Sequence, residues 1–197
     1  MSSFDARAKV WDQKDRRVNG AKTIADAIQK RIALRDDMKI IDFGVGTGLL
    51  GFEIAKKVKQ VYGVDTSLGM LEKLKEKNTP ELHIVPIYQD IIQEPLKEQF
   101  DGLVSSMTLH HIEDLKAFFT TLYTMLKENA FIAIADLESE DGTFHSDNTG
   151  VHHFGFSHQD LKIIADKSGF KNIIIENINT ITKPQGDYGV FLLTAQK

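Results

Sequence analysis

Residues 39–51 read KIIDFGVGTGLLG, and this stretch decides the fold. An apolar run ends in three alternating glycines, Gly44, Gly46 and Gly48, and a helical pattern follows directly. We interpret the stretch as a buried strand that turns tightly into a helix. Glycine tolerates positive φ and lets a ligand approach the main chain, and the start of a helix offers unpaired N–H groups with positive dipole character. The turn is therefore predicted to hold a nucleotide-like ligand.

The spacing of the glycines distinguishes two kinds of nucleotide site. A dinucleotide fingerprint has the form G-x-G-x-x-G directly after the first strand. Counted from Gly44 the pattern fails, because its last position is Leu49. Counted from Gly46 it fits over residues 46–51, but two residues late and inside the predicted helix. The form D-x-G-x-G-x-G over residues 42–48 fits the end of the strand better.

The overall composition indicates one globular domain, residues 1–197. The apolar fraction is 42% and the charged fraction 26%, which is ordinary for such a domain. The absence of cysteine excludes disulfides, thiolate metal ligands and cysteine nucleophiles. We find no signal peptide and no apolar run of membrane-spanning length, so we expect a cytoplasmic protein with no membrane partner. The formal net charge of −4 argues against a general nucleic-acid binder.

The N-terminal residues are predicted to form a helical lid, residues 1–36, on a core of residues 37–197. Helical patterns cover residues 4–17 and 20–35, and the first 35 residues carry a local excess of basic side chains. A solvated helix face accounts for these basic residues. The alternative is a lid that attracts an anionic substrate.

After residue 37, predicted strands and helices alternate. The predicted strands are 38–43, 61–65, 82–88, 100–106 and 130–137, and the predicted helices between them are 47–58, 67–77 and 113–128. Pro86 indicates that the third strand is an edge strand or contains a bulge. The alternation predicts an α/β fold with a doubly wound, open parallel sheet and helices on both faces.

The C-terminal end departs from this alternation. A helix beginning at Ser157 and ending near Gly169 precedes two strands, 170–177 and 188–195, which are joined only by a polar stretch. A parallel crossover needs about a dozen residues or more, usually including a helix. The last two strands are therefore predicted to pair antiparallel.

Four segments within residues 38–114 resemble the class I S-adenosylmethionine (SAM) dependent methyltransferases. They are the glycine turn, VDTSLGML at 64–71, YQDI at 88–91 and FDGLVSSMTLHHIED at 100–114. The chain is most similar to the small methyltransferases that act on small molecules, including the quinone-biosynthesis enzymes. The resemblance implies a Rossmann-like sheet of seven strands with one reversed, SAM as cofactor and S-adenosylhomocysteine as product. A dinucleotide-binding domain would have all its strands parallel.

Acidic residues at strand ends form the predicted cofactor site. Asp65 closes the second strand, and its carboxylate can accept hydrogen bonds from both ribose hydroxyls; capping the next helix is its alternative role. The resemblance implies that Asp90 accepts from the adenine amino group and that Asp42 orders the methionine ammonium. The other predicted cofactor-binding residues are Gly44, Val45, Gly46, Gly48, Thr66, Met70, Ile91, Ser105 and Ser106.

Histidines are the predicted catalytic residues. Methyl transfer from a sulfonium needs in-line positioning, exclusion of water and, for some acceptors, removal of a proton, and imidazole exchanges a proton near neutral pH. His111 follows the fourth strand and His153 lies in a polar-aromatic segment after the fifth. A structural role is the alternative for His111, and an ordered surface loop is the alternative for His153. Residues predicted to contact a small-molecule acceptor are Trp11, His110, His152 and Phe154.

Two other functions remain open. One is an NAD(P)-dependent oxidoreductase that uses residues 46–51, and the other is a non-catalytic module that binds SAM or S-adenosylhomocysteine. We predict no metal site, because no helical His-x-x-x-His or equivalent pairing is present. The sequence identifies neither the acceptor nor the oligomeric state, for which a homodimer is one option.

Overall fold

A computed structural model describes residues 3–197, apart from the side chain of Ser3. Residues 1 and 2 of the predicted lid lie outside the described residues. The helices are α1 (Ser3–Arg7), α2 (Asp15–Arg31), α3 (Leu49–Ala55), α4 (Leu68–Lys77), α5 (Leu115–Met125) and α6 (His158–Lys167), with 3₁₀ turns at Ala8–Gln13 and Leu109–His111. The strands are β1 (Lys39–Phe43), β2 (Gln60–Asp65), β3 (Ile84–Tyr88), β4 (Phe100–Ser106), β5 (Leu126–Leu137), β6 (Lys171–Lys183) and β7 (Gly186–Gln196).

The strands form a single sheet in the order β3-β2-β1-β4-β5-β7-β6. The pairs from β3 to β5 are parallel, whereas β7 is antiparallel to both of its neighbours. The predicted reversed hairpin strand is therefore confirmed. Strand β3, which contains Pro86, lies at the edge of the sheet, where a missing backbone N–H is tolerated.

Apolar side chains cover both faces of the sheet. One buried cluster joins α2, α3 and α4 to the sheet through residues such as Ile28, Ile54 and Leu74. A second cluster joins α5 and α6 to the other face through residues such as Phe119 and Leu161. The sheet is thus doubly wound. The strand order reverses between β1 and β4, since β2 and β3 lie on one side of β1 and β4 lies on the other. Open α/β sheets bind ligands at such a point.

The N-terminal region differs from the predicted pair of helices. Lys14 has an extended conformation (φ −93°, ψ 103°), which separates a 3₁₀ turn from α2, and α2 begins at Asp15. Tertiary contacts explain the break, because the Asp12 side chain accepts hydrogen bonds from Thr47 and Lys77 elsewhere in the fold. Local helix propensity is a weak preference, and such contacts override it.

Candidate functional site

A cavity of about 980 Å³ lies at the carboxyl ends of the parallel strands. Its lining includes the ends of β1, β2 and β4, the residues after β3, and the N-terminal segment that packs across the opening. The predicted cofactor residues that line the cavity are Asp42, Gly44, Val45, Gly46, Asp65, Thr66, Met70, Asp90 and Ser106. The predicted acceptor-contacting and catalytic residues that line it are Trp11, His110, His111 and His152.

The glycine turn is held in shape by backbone hydrogen bonds. The N–H groups of Gly44 and Val45 donate to the carbonyl of Val64 at 2.9 and 3.0 Å. Gly44 and Gly46 have positive φ values of 68° and 54°. A Cβ atom on Gly44 would lie 2.3 Å from the Thr108 side chain, whereas one on Gly46 would meet no atom within 4 Å. The turn therefore needs glycine for two different reasons: close packing at Gly44 and backbone conformation at Gly46.

Asp42 is a buried carboxylate that faces this turn. Its side chain is 2% exposed, and Oδ2 is buried without a hydrogen-bond partner. Burial, and to a smaller extent the negative charge of Asp65, raise the pKa of Asp42 well above its usual value, while the nearby backbone of Gly51 opposes the shift. A buried carboxylate without a partner is costly. Asp42 is therefore suited to a cationic ligand group in the cavity.

Asp65 connects the glycine turn to the start of α4. One carboxylate oxygen accepts from Gly46 N and the other from Ser67 N, both at 2.8 Å. Burial raises the pKa of Asp65, and these backbone hydrogen bonds oppose the shift. The Ser67 side chain caps α4 by accepting from Met70 N. Helix capping is therefore done by Ser67, which leaves the Asp65 carboxylate at the cavity.

The structure places three predicted cofactor residues outside the cavity lining. Ile91 is fully buried in the core below α5, and Ile92 lines the cavity instead. Ser105 is 1% exposed and donates its hydroxyl to the carbonyl of Phe43, inside the sheet. Gly48 forms the N-cap of α3 at φ 86°, and its N–H donates to Val45 O. The three residues lie behind the cavity lining, and their contact with a cofactor stays a prediction.

Two predicted acceptor-side residues also lie outside the cavity lining. His153 directs Nε2 to the carbonyl of Ile112 at 2.9 Å and packs against Phe156. Phe154 is 46% exposed, and its ring lies beside the backbone of Gly142. The segment after β5 turns these two side chains away, because the backbone N–H groups of His152 and His153 both bind the carbonyl of His110. The cavity lining therefore does not support His153 in catalysis or Phe154 in acceptor contact, and both roles stay predictions.

A cluster of three imidazoles lines the cavity beyond β4. The ring centroids of His110 and His111 are 4.1 Å apart, and those of His110 and His145 are 4.8 Å apart. Burial lowers the pKa of His145 to about 4, with further contributions from the two neighbouring imidazoles and Lys183. Burial and His110 also lower the pKa of His111. Both shifts favour the neutral form of the imidazole.

Asp136 orients the central imidazole of this cluster. His110 Nδ1 lies 2.7 Å from one Asp136 oxygen, and the backbone N–H of His110 donates to the other oxygen at 3.2 Å. Asp136 is completely buried on β5, and its carboxylate also accepts from Leu137 N. This geometry places the proton on Nδ1 and leaves Nε2 as an acceptor. Sequence reasoning missed Asp136, although a lone carboxylate in the apolar run 130–137 was a signal of it.

The N-terminal segment is fastened across the cavity by polar contacts. The hydroxyl of Thr47 in the glycine turn donates to Asp12 Oδ1 at 2.5 Å, and Lys77 of α4 donates to Asp12 Oδ2 at 2.7 Å. Asp5 accepts from the Ser67 hydroxyl at 2.6 Å. These contacts connect the segment to two elements of the predicted cofactor site.

Two negative findings apply to the part of the chain that the structure describes. Across residues 3–197, no group of three or more His, Asp or Glu side chains has an arrangement that could hold a metal ion. Within the same range, no helix is long and apolar enough to cross a membrane.

Similarity to known proteins agrees with the geometry. A family model described as a methyltransferase domain matches residues 41–134. An uncharacterised methyltransferase of Schizosaccharomyces pombe is 32% identical over 174 residues, covering 79% of this chain and 60% of the relative. A 2-phytyl-1,4-naphtoquinone methyltransferase of Trichormus variabilis is 32% identical over 103 residues, covering 49% of this chain and 45% of the relative. The chain thus spans less than two thirds of the length of these curated relatives.

Solved structures share the fold at low sequence identity. The Mg-protoporphyrin IX methyltransferase of Synechocystis with bound SAM has a TM-score of 0.69 at 20% identity, covering 94% of this chain and 83% of that chain. A second structure is the phosphoethanolamine N-methyltransferase 2 of Haemonchus contortus in complex with phosphomonomethylethanolamine and S-adenosylhomocysteine. It has a TM-score of 0.71 at 20% identity, and the match covers 88% of this chain and 52% of that chain. The family match, the relatives and the one reversed strand lead to the same conclusion. Residues 41–134 thus match a methyltransferase domain, and the chain shares its fold with SAM-dependent methyltransferases of known structure.

Proposed function

We propose that the protein transfers a methyl group from SAM to a small-molecule acceptor. The observation that carries this proposal is the buried Asp42 carboxylate, which lies beside the glycine turn and lines a cavity large enough for a nucleoside and a small acceptor. SAM carries an ammonium and a sulfonium, so it would supply a positively charged partner for the Asp42 carboxylate. The relatives named for a naphthoquinone, a protoporphyrin and phosphoethanolamine support an acceptor that is a small molecule.

Several cavity residues would hold the cofactor. Gly46 would allow a ligand to approach the backbone closely, and Asp42 would pair with the ammonium. Asp65 and Asp90 offer carboxylates to the ribose and the adenine, respectively. When bound, SAM supplies an electrophilic methyl group on sulfur. The protein's own contribution is then to position the acceptor, to exclude water and to accept a proton where the acceptor must lose one.

The residue that we propose for proton removal is His110, with Asp136 as its positioning residue. The Nδ1–H group of His110 donates a hydrogen bond to Asp136, so Nε2 is the ring nitrogen that would accept a proton. The positive charge that then forms on the imidazole would be stabilised by the buried carboxylate. His111 stays a second candidate, because its Nδ1 lies 2.6 Å from the carbonyl of Gly150 and its Nε2 is likewise left as an acceptor. His153 has no part in this proposal.

We also propose that the beginning of the predicted lid, residues 1–36, covers this site, whereas the α2 part of that range packs on the sheet together with the core of residues 37–197. Phe4 and Trp11 line the cavity, with their rings 5.9 Å apart, and Phe4 lies 5.2 Å from the ring of His111. These aromatic side chains would help to exclude water from the transferred methyl group.

The oxidoreductase alternative loses support, because it predicted a sheet with all strands parallel and β7 is antiparallel. Thermal unfolding with SAM, S-adenosylhomocysteine, NADH and NADPH tests the choice of cofactor. A ligand present at 100 times its Kd adds about 2.7 kcal/mol, which for a chain of this size raises the Tm by about 5–10 °C. We expect that shift with SAM and S-adenosylhomocysteine. A shift with NADH and none with SAM would refute the proposal.

Two variants make the thermal test specific to the site. Asp65→Ala should fold and lose most of the SAM-dependent shift, because it removes the carboxylate proposed for the ribose. Asp36→Ala is the matched control, since Asp36 is exposed in the loop after α2 and does not line the cavity. The methyl-transfer step itself is tested by release of S-adenosylhomocysteine in a screen of small acceptors. Binding of SAM without any turnover across such a screen would favour the non-catalytic alternative.

A further inference from the structure

Four cationic side chains line one part of the cavity, where α2 meets the end of β6. We call Lys14, Arg16, Arg17 and Lys183 the basic wall. None of the four forms an ion pair with a carboxylate in the described part of the chain. Three come from the start of α2 and the fourth from the β6–β7 hairpin, so tertiary folding brings them together.

Aromatic rings hold two of these cations in place. The Arg17 guanidinium lies 3.6 Å from the centroid of the Trp11 ring and donates to the Trp11 carbonyl. Lys183 Nζ lies 3.5 Å from the centroid of the Phe144 ring and donates to the Phe144 carbonyl. Both rings line the same cavity. The charged groups are therefore fixed by cation–π contacts and backbone acceptors, which leave their other N–H groups for a ligand.

The basic wall is electrostatically unfavourable without a ligand. Arg16 and Arg17 lie in the first turn of α2, at the positive end of its dipole, where cations are disfavoured. The N-cap, Lys14, provides no side-chain acceptor there. Burial and the charges of Arg16, Lys14 and Arg17 lower the pKa of Lys183 to about 8. Such a conflict between local charge and structure is typical of a functional site.

Nearby carboxylates offset this charge only in part. Glu140 raises the pKa of Lys183, but one of its oxygens already accepts from Gly142 N and Phe144 N. Asp12 raises the pKa of Arg17, and it is the smallest of the contributions that act on that group. The Asp12 carboxylate is also bound to two other side chains. A net positive charge therefore remains at this part of the cavity.

We propose that the basic wall binds an oxyanion group, carboxylate or phosphate, that is carried by the methyl acceptor. This inference rests on the proposed function and specifies its substrate class as an anionic small molecule. A series of ring contacts connects the wall to the imidazole cluster: Phe144 lies below Lys183, its centroid is 4.8 Å from that of His145, and His145 is 4.8 Å from His110. An acceptor anchored by its anionic end can thus extend towards the proposed base.

Binding of three probes to the protein saturated with S-adenosylhomocysteine tests the proposal. The probes are phenyl phosphate, benzoate and uncharged benzyl alcohol. The fluorescence of Trp11, the only tryptophan, reports occupancy beside Arg17, and calorimetry gives the affinities. We expect at least one charged probe to bind about tenfold more tightly than benzyl alcohol, as a charge-assisted contact predicts. The stronger of the two charged probes identifies the oxyanion as phosphate or carboxylate.

Two charge-removing variants locate the binding site. Arg16→Gln and Lys183→Met should each lower the affinity for the charged probes about tenfold and leave the affinity for benzyl alcohol unchanged. Lys22→Gln is the matched control, because Lys22 is an exposed cation of the same helix that does not line the cavity. It should change the affinity less than twofold.

Equal binding of all three probes would overturn the inference. The inference would also be overturned if Lys22→Gln lowered the affinity for the charged probes as much as Lys183→Met does. The loss of affinity would then come from the change in the net charge of the protein. Failure of the proposed function has a different signature, namely no binding of S-adenosylhomocysteine. In that case the same probes and variants, applied to the ligand-free protein, still decide whether the basic wall selects anions.

Discussion

Replacing Asp42 by asparagine should make the ligand-free protein more stable and its cofactor binding weaker. The wild-type carboxylate is buried without a partner for Oδ2, and its pKa is raised by burial and by Asp65. Each pKa unit of such a shift costs the folded state about 1.4 kcal/mol once the carboxylate is ionised. A buried amide without a partner costs about 1–3 kcal/mol and offsets part of the gain. We expect the variant to be the more stable protein at pH 7.5, by on the order of 1 kcal/mol, because an unpartnered neutral amide costs less to bury than an unpartnered carboxylate.

The pH dependence gives the sign of this effect. In the unfolded chain the Asp42 carboxyl ionises near its usual pKa of 3.8, whereas the folded protein retains the proton to higher pH. Between these two values the folded state binds more protons, so the stability of the wild type falls as pH rises. The advantage of Asp42→Asn should therefore be large at pH 7.5 and absent at about pH 4. Asp65 contributes in the same direction, and because its charge acts on Asp42, the difference between the two proteins reports Asp42 together with this coupling.

Denaturant unfolding at several pH values and calorimetry with SAM measure the two parts of the prediction. Loss of a charge-assisted contact to the ammonium, worth about 1.5–3 kcal/mol, should weaken SAM binding about 10- to 100-fold. Asp36→Asn is the control for the same chemical change at an exposed carboxylate. A variant that is less stable than the wild type at pH 7.5 and binds SAM with unchanged affinity would refute this account of Asp42.

Three further predictions concern the lid and the imidazole cluster. Asp12→Ala removes the contacts that fasten the N-terminal segment and should speed SAM dissociation about tenfold in stopped-flow measurements, whereas Asp15→Ala should leave it unchanged. Asp136→Asn should lower kcat about 100-fold or more with little change in the Kd of SAM, because the Asp136 carboxylate no longer fixes the tautomer of His110. Equal losses in kcat and in SAM affinity would indicate a purely structural role for Asp136. His145 should titrate near pH 4 by NMR. The stability of the protein should fall as the pH drops from about 6.5 towards 4, because in this range only the unfolded imidazole gains a proton. An NMR titration midpoint near 6.5 would contradict the burial of His145.

The sequence predicted the sheet well because its signals are local. The glycine turn requires a strand before it and a helix after it, and β1 and α3 occupy those positions. The chain between β6 and β7 is too short for a parallel crossover, which determined that β7 is reversed. The carboxylates at the ends of β1 and β2 could also be predicted to line one edge, because parallel strands end on the same side.

Side-chain direction beyond the strand ends could not be predicted in this way. After β3 the chain turns around the Asp90 carboxylate, which accepts from Ile92 N and Gln93 N. This turn places Ile91 in the core and Ile92 at the cavity, whereas the sequence pattern had pointed to Ile91 as the cofactor contact. His153 similarly depends on a backbone contact with the carbonyl of His110, which lies far away in sequence.

By itself, then, the sequence determined the α/β sheet, its reversed strand and the glycine turn, since each follows from periodicity, loop length or the conformational freedom of glycine. Only the tertiary structure decided which side chains share the cavity. The pairing of His110 with Asp136 and the assembly of the basic wall each join residues from separate elements. The physical reason is that burial and charge at a site depend on long-range packing, which local sequence patterns do not contain.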